Sequence, residues 1–151
     1  MMQKSLIPMS ERERIVEAVT AMFVNTDRRD WTAVRSCFTD SVWFDMSSLT
    51  GIQAADTPAD VIVSGWTTGL GSLKAIHHQL GNFQVTITRD GADVTCYGTA
   101  YHYLPNKTGH DTRVFVGSYE IHLVSVRGEW KIDMLVYLSK FIDGNRDLEK
   151  S

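Results

Sequence analysis

TDRRDWTAVRSCFTDSVWFD, residues 26–45, changes its structural period within twenty residues and decides how the rest of the chain is read. Asp27-Arg28-Arg29 is a charged corner closing an amphipathic stretch. Asp30 stands where a side-chain oxygen can accept from free helical amides, which predicts a short second helix burying Trp31, Val34 and Phe38. Val42, Phe44 and Met46 then alternate with Trp43 and Asp45, the period of a strand over residues 41–46. The segment therefore reads helix end, corner, helix, strand. Its two bracketing carboxylates, Asp27 and Asp45, flank a Trp/Phe-rich turn.

Upstream, Ser10-Glu11-Arg12-Glu13 has the spacing of a capping box, with Ser10 as cap and Glu13 reaching back. Ile15, Val19, Met22 and Phe23, with Ala18 between them, form the apolar stripe of a first helix that should end near Asn25-Thr26. Downstream, residues 47–57 are small and polar and read as a loop. Thr57-Pro58 predicts a cap followed by proline in the first turn of a third helix, with Ile62, Trp66 and Leu70 four apart and Gly69 and Gly71 at its end.

After Ala75 the period becomes two. Phe83, Val85 and Ile87 alternate up to Arg89-Asp90-Gly91, a hairpin signal. In the next strand Val94, Cys96, Gly98, Ala100 and His102 share one face, and Tyr97, Tyr101 and Tyr103 share the other. Pro105–Asp111 is a longer loop. Val114, Val116 and Ser118 lead a strand to about Val126. Arg127-Gly128 turns into a last strand on which Trp130, Ile132, Met134, Val136 and Leu138 are expected to share a face. Helices placed before an antiparallel meander mean an α+β fold, and strands this long curl. The expectation is one domain over residues 10–142, a tail over 1–9 and a frayed tail over 143–151.

At 151 residues a single domain can bury a sizeable core. A net charge of −3 and the lack of a basic patch argue against nucleic acid. No run of eighteen apolar residues predicts a membrane span. MMQKSLIPMSERER lacks the apolar centre of a secretion signal, so a cytoplasmic location is expected and the Asn106-Lys107-Thr108 sequon carries no weight. Cys37 and Cys96 sit singly within apolar patterns and read as reduced thiols.

Element order, Asp27-Arg-Arg-Asp30-Trp31, Cys37-Phe38-Thr39-Asp40, His77-His78-Gln79-Leu80-Gly81-Asn82 and Gly128-Glu129-Trp130-Lys131-Ile132 together resemble the nuclear transport factor 2-like superfamily, and within it the SnoaL-like, scytalone dehydratase-like branch. The resemblance implies a cone-shaped, cystatin-like α+β barrel: a curved, mainly antiparallel sheet wrapping three N-terminal helices around a central cavity. It also implies an acid–base dyad, Asp27 in the place of the family's helix-end aspartate and His78 in that of its central histidine. Thr26 and Met46 stand where the dehydratase has two tyrosines. His102 or His110 takes the place of its second histidine, and the alignment leaves both open. Ser118 and Glu120 fall near its substrate-binding strand positions.

The residues themselves support part of this set. A carboxylate at a helix C-terminus, as expected for Asp27, is disfavoured by the dipole unless something compensates it. His77 and His78, neighbours on a strand, face opposite ways, so one of them faces the hollow. His102 shares a face with the small residues Gly98 and Ala100, which leave room beside it. Trp43, Asp45 and Trp66 complete the candidate lining, although Asp45 also reads as a turn cap. Tyr101, Tyr103 and Tyr119 read as packing residues or as cavity donors. A two-histidine, one-carboxylate metal site from His78, His102 and Asp27 lacks the usual ligand spacing, and neither metal nor cofactor is expected.

The first expectation is a cofactor-free lyase of the dehydratase type, or an isomerase, acting on a small apolar hydroxy-carbonyl substrate, polyketide- or steroid-like. The alternatives are a non-catalytic small-molecule-binding or dimerisation module of the same fold, and a polyketide cyclase or epoxide hydrolase. The expected partners are a small apolar ligand and a second copy of the chain, as a dimer or a trimer. Tyr97, Tyr101 and Tyr103 would line that interface.

Overall fold

The computed structural model describes residues 6–151, so residues 1–5 of the tail expected over 1–9 lie outside the described residues. Helix α1 (Glu11–Arg28) opens with the full reciprocal capping box: Glu13 N–H donates to Ser10 Oγ at 3.1 Å, and Ser10 N–H donates to Glu13 Oε2 at 2.6 Å. It runs past the expected end and stops where Arg29 turns left-handed at φ 57°. Asp30 caps α2 (Trp31–Ser36) by accepting from Ala33 N–H at 3.0 Å. Then come β1 (Phe38–Asp45), α3 (Ser47–Thr50), β2 (Ala55–Pro58), α4 (Ala59–Gly69), β3 (Ala75–Ile87), β4 (Ala92–Tyr103), β5 (Thr112–Val126), β6 (Glu129–Gly144) and the 3-10 turn η1 (Leu148–Lys150).

The six strands form one curved sheet in the order β2-β1-β6-β5-β4-β3. Every pairing is antiparallel except β1 with β6. Helix α1 crosses the concave face against β3 and β6, and α4 packs on β1 and α2. Ile15, Val19, Met22 and Phe23 of α1 meet Val94, Cys96, Ile121, Leu123, Ile132 and Leu135 of the sheet in one core. Each such side chain, removed from water, contributes roughly 1.5–3 kcal/mol. The α+β class, the curved sheet and the hollow it encloses are as expected.

Five local expectations are corrected. Residues 47–57 contain α3 and β2 rather than a loop alone, with Phe44 opposite Ala55 and Val42 opposite Thr57. Four-residue elements this polar have no periodicity to read. Phe38 opens β1 instead of ending α2, although it is buried as expected. Pro58 itself occupies the N-cap of α4, and the Thr57 hydroxyl donates instead to Ala55 O at 3.0 Å.

The fourth correction matters most. His122 pairs with Met134 and Leu123 with Ile132, so Asp133 is an extra residue in β6. Such a bulge shifts the alternation by one. Met134, Val136 and Leu138 therefore leave the face of Ile132, and Leu135 and Tyr137 turn inward. Finally, the tail is not frayed. Strand β6 continues to Gly144, and Leu148 is fully buried against Leu73 and Ile76 in a second small core.

Candidate functional site

Asp27 lies in the last turn of α1, not beyond it, where the helix dipole opposes a negative charge. Two donors from one residue compensate. His78 N–H donates to Oδ2 at 2.8 Å, and its ring Nδ1 lies 2.6 Å from Oδ1. Both side chains are largely buried. His78 sits opposite Ala100 on the inner face of β3, and the ring of Phe23 lies 5.2 Å from its own. His77 points outward, 6.0 Å from Tyr101.

The imidazole of His78 forms part of the wall of a cavity of about 330 Å³. The other walls are mostly apolar. Met22 and Phe23 come from α1, Phe44 and Met46 from β1 and its end, and Trp66 and Leu70 from α4. Phe115 and Leu135 come from the sheet, while Leu49 and Ile52 come from the segment around α3. The segment expected to be a bare loop thus closes one side of the hollow. Trp66 is held by Phe38 and Phe44, with ring centres 6.0 and 6.2 Å away.

Of the two histidines left open by the sequence, His102 lines the cavity and His110 does not. His110 lies in the exposed β4–β5 loop. His102 is buried, with its Nδ1 3.0 Å from Arg113 Nη2 and its ring 4.9 Å from that of Phe115. Burial first, then the charges of Arg113 and His78, lower its pKa to about 4. It is a neutral imidazole at physiological pH.

Two tyrosines, Tyr119 and Tyr137, also line the hollow. Glycines on the neighbouring strands seat both rings. A Cβ on Gly98 would lie 2.3 Å from Tyr119 Cε2, and a Cβ on Gly117 2.6 Å from the Tyr137 hydroxyl. Gly98 and Gly117 are themselves directly paired. The room expected beside Gly98 is therefore filled by Tyr119, while Ala100 borders the open hollow. No hydrogen bond of ordinary geometry reaches the buried Tyr137 hydroxyl, although the Ser139 side chain lies near it. Burial raises the Tyr137 phenol above its ordinary value, with Ser139 opposing, and burial raises Tyr119 as well. Tyr137 was hidden from the sequence because the bulge at Asp133 reverses its face.

Four expected lining residues lie elsewhere. Trp43 is exposed on the side of β1 away from Phe44. Asp45 caps the turn into α3, accepting from Ser47 N–H at 2.9 Å, and those Ser47 bonds hold its carboxyl below the usual range. Ser118 and Glu120 alternate with the inward Gly117 and Tyr119, so they face the outside of the sheet. There they border a shallow depression with Asn82 and Gln84. Tyr101 and Tyr103 are likewise exposed. Among the described residues no three His, Cys, Asp or Glu side chains are grouped to hold a metal ion, and both cysteines are free. Burial pushes the Cys96 thiol up to about 12, which makes it a poor nucleophile.

The SnoaL-like domain model matches residues 8–136. No curated protein matches the chain. Among solved structures, the Kfla4162 protein of Kribbella flavida is 24% identical with a TM-score of 0.87, over 93% of this chain and 97% of that one. A candidate scytalone dehydratase from Novosphingobium aromaticivorans is 16% identical with a TM-score of 0.75, over 90% of this chain and 88% of that one. The LinA-type3 hexachlorocyclohexane dehydrochlorinase of Novosphingobium barchaimii is 14% identical with a TM-score of 0.70, over 89% and 90%. At these identities the likenesses establish the fold. No helix among the described residues is long and apolar enough to cross a membrane.

Proposed function

This chain belongs to the SnoaL-like family, and we propose that it is a cofactor-free acid–base enzyme of the dehydratase or isomerase type. Its substrate is a small, mostly apolar hydroxy-carbonyl compound of the polyketide- or steroid-like kind. The observation that carries the reading is the two-point grip of Asp27 on His78, at 2.6 and 2.8 Å, in the wall of a mostly apolar cavity. Such a hollow takes an apolar molecule, and its few polar groups set the orientation.

With Nδ1–H donating to Asp27, the free lone pair of His78 is on Nε2. That nitrogen removes a proton from the carbon next to the substrate carbonyl. Asp27 stabilises the imidazolium that forms. In a dehydration the imidazolium returns its proton to the departing hydroxyl. The C–H and C–O bonds break, a C=C bond forms and water leaves. In an isomerisation the same proton returns to another carbon. Two structural neighbours bear the names of eliminations, a dehydratase and a dehydrochlorinase, which favours elimination within this reading.

The test is a panel of hydroxy-ketone, polyketide-like and steroid-like compounds incubated in heavy water with the protein. Deuterium uptake next to the carbonyl, or loss of water, is expected for at least one compound. That activity should disappear in His78→Gln. Tight binding of panel members with neither exchange nor elimination would overturn the enzyme reading in favour of a binding module.

A further inference from the structure

The C-terminal segment reaches the cavity through one chain of contacts. Strand β5 places Arg113 directly opposite His102 of β4. The Arg113 side chain is only 11% exposed. Its Nη2 lies 3.0 Å from His102 Nδ1 and 2.5 Å from Glu149 Oε1, and its Nη1 lies 2.8 Å from Glu149 Oε2. The guanidinium also lies over Phe115, 5.2 Å from the ring centre. Glu149 arrives there because Leu148 is fully buried and Asn145 N–H donates to Thr112 O at 2.8 Å.

We propose that Arg113 and Glu149 are positioning residues that hold His102 as a hydrogen-bond donor to the cavity's ligand. A guanidinium donates and cannot accept. The ring nitrogen facing it must therefore be unprotonated, so the single proton of neutral His102 is on Nε2. The charged and titratable groups around His102 are Arg113 on β5, His78 on β3, Asp27 on α1 and Glu149 on the tail. Burial and the Arg113 charge keep the ring neutral, which leaves the Nε2–H form as its only populated state.

His78 and His102 occupy diagonal positions on the inner face of paired strands, opposite Ala100 and Ile76 respectively. Asp27 fixes one ring with a free lone pair, and Arg113 fixes the other with a free N–H. The cavity thus offers one base and one donor, which matches a substrate that loses a proton beside an oxygen acceptor. Leu148 and Asn145 already anchor the tail. Both Glu149 carboxylate oxygens accept from Arg113, whose other side-chain hydrogen bonds are to His102 and to the main-chain carbonyl of Arg146.

The purpose assigned to this arrangement rests on the acid–base reading of the cavity, but its test does not need a substrate. Nitrogen-15 spectra of the histidine rings at neutral pH report the tautomer directly. In the unaltered chain His102 Nδ1 should resonate as an unprotonated nitrogen. In Arg113→Met it should shift toward the protonated range as the two tautomers mix, and Arg113→Lys, which restores a donor, should shift it back. Glu149→Gln, at a partly exposed position, should give a smaller shift in the same direction and serves if Arg113→Met does not fold. An Nδ1 signal that stays unprotonated in both Arg113→Met and Glu149→Gln, or that is protonated in the unaltered chain, overturns the proposal. Asp27→Asn should alter the His78 signals and leave the His102 tautomer, so the dyad and this relay fail separately.

Discussion

Asp27 holds His78 by both its main chain and its ring, at 2.8 and 2.6 Å. One carboxylate thereby fixes a strand to a helix end and sets an imidazole's orientation. Replacing Asp27 by Asn keeps an acceptor for the main-chain N–H and removes the charge that stabilises the imidazolium. Turnover of a substrate found in the panel should fall by roughly a hundredfold or more. The melting temperature should change little. Full activity in Asp27→Asn would show that the pairing is structural only.

His102 makes stability depend on pH. Its folded pKa of about 4 lies below its ordinary value of 6.5, so between those values the unfolded chain binds the extra proton. Stability therefore rises with pH through that window, and falls as pH drops from 6.5 toward 4. The loss is on the order of 3 kcal/mol as an upper figure. Urea unfolding at several pH values should show this slope, and His102→Gln should flatten it. A slope that persists in the variant would assign the effect to other groups.

Tyr137→Phe removes a buried hydroxyl that no hydrogen bond of ordinary geometry reaches. Stability should rise or stay level, by up to about 1 kcal/mol, because an unsatisfied polar atom is no longer buried. Binding of a carbonyl-bearing ligand should change little, because the hydroxyl is closed off from the cavity. Denaturant melts together with ligand titrations check both outcomes. A clear loss of stability would mean that the hydroxyl is bonded within the protein.

Gly98→Ala should destabilise by about 1–3 kcal/mol, the scale of overpacking in a core. Its Cβ would meet the Tyr119 ring at 2.3 Å, and that ring is wedged among Phe23 and Tyr137 at 4.8 and 5.0 Å. Adding Tyr119→Leu in the same chain should recover part of the loss. Equal stability of Gly98→Ala and the unaltered chain would show that the ring moves freely.

The outer face of the sheet carries Tyr97, Tyr101, Tyr103, Leu138 and Phe141, with Tyr97 54% and Phe141 56% exposed. We propose that it pairs with a second copy of the chain, since a patch of this kind marks an interface. Lys140 lies 4.0 Å above the Tyr97 ring and adds a cation at its edge. Light scattering should give a dimer at micromolar concentration, and Phe141→Glu should shift it toward a monomer. A monomer at high concentration would refute this.

The sequence determined the parts that rest on local periodicity and capping. The Ser10–Glu13 box, the stripe Ile15–Phe23, the Asp30 cap and the alternation from Val94 to His102 all appear as read, and with them the α+β fold. Alternation also required His77 and His78 to face opposite ways and put His102 on the face of Gly98 and Ala100, while the family resemblance chose His78. Distant pairing decided the rest. Whether Asp27 reached His78, fifty-one residues away, depended on how α1 crosses β3. The extra residue at Asp133 cannot be seen in β6 alone, because a bulge exists only relative to the partner strand. It turned Tyr137 into the cavity and Leu138 out of it. Glu149 lay in a tail with no pattern to read, and only the burial of Leu148 beside Leu73 and Ile76 brought its carboxylate to Arg113. Period and capping are properties of neighbouring residues and survive in one dimension, whereas registers and long-range contacts form only when the whole sheet closes around its core.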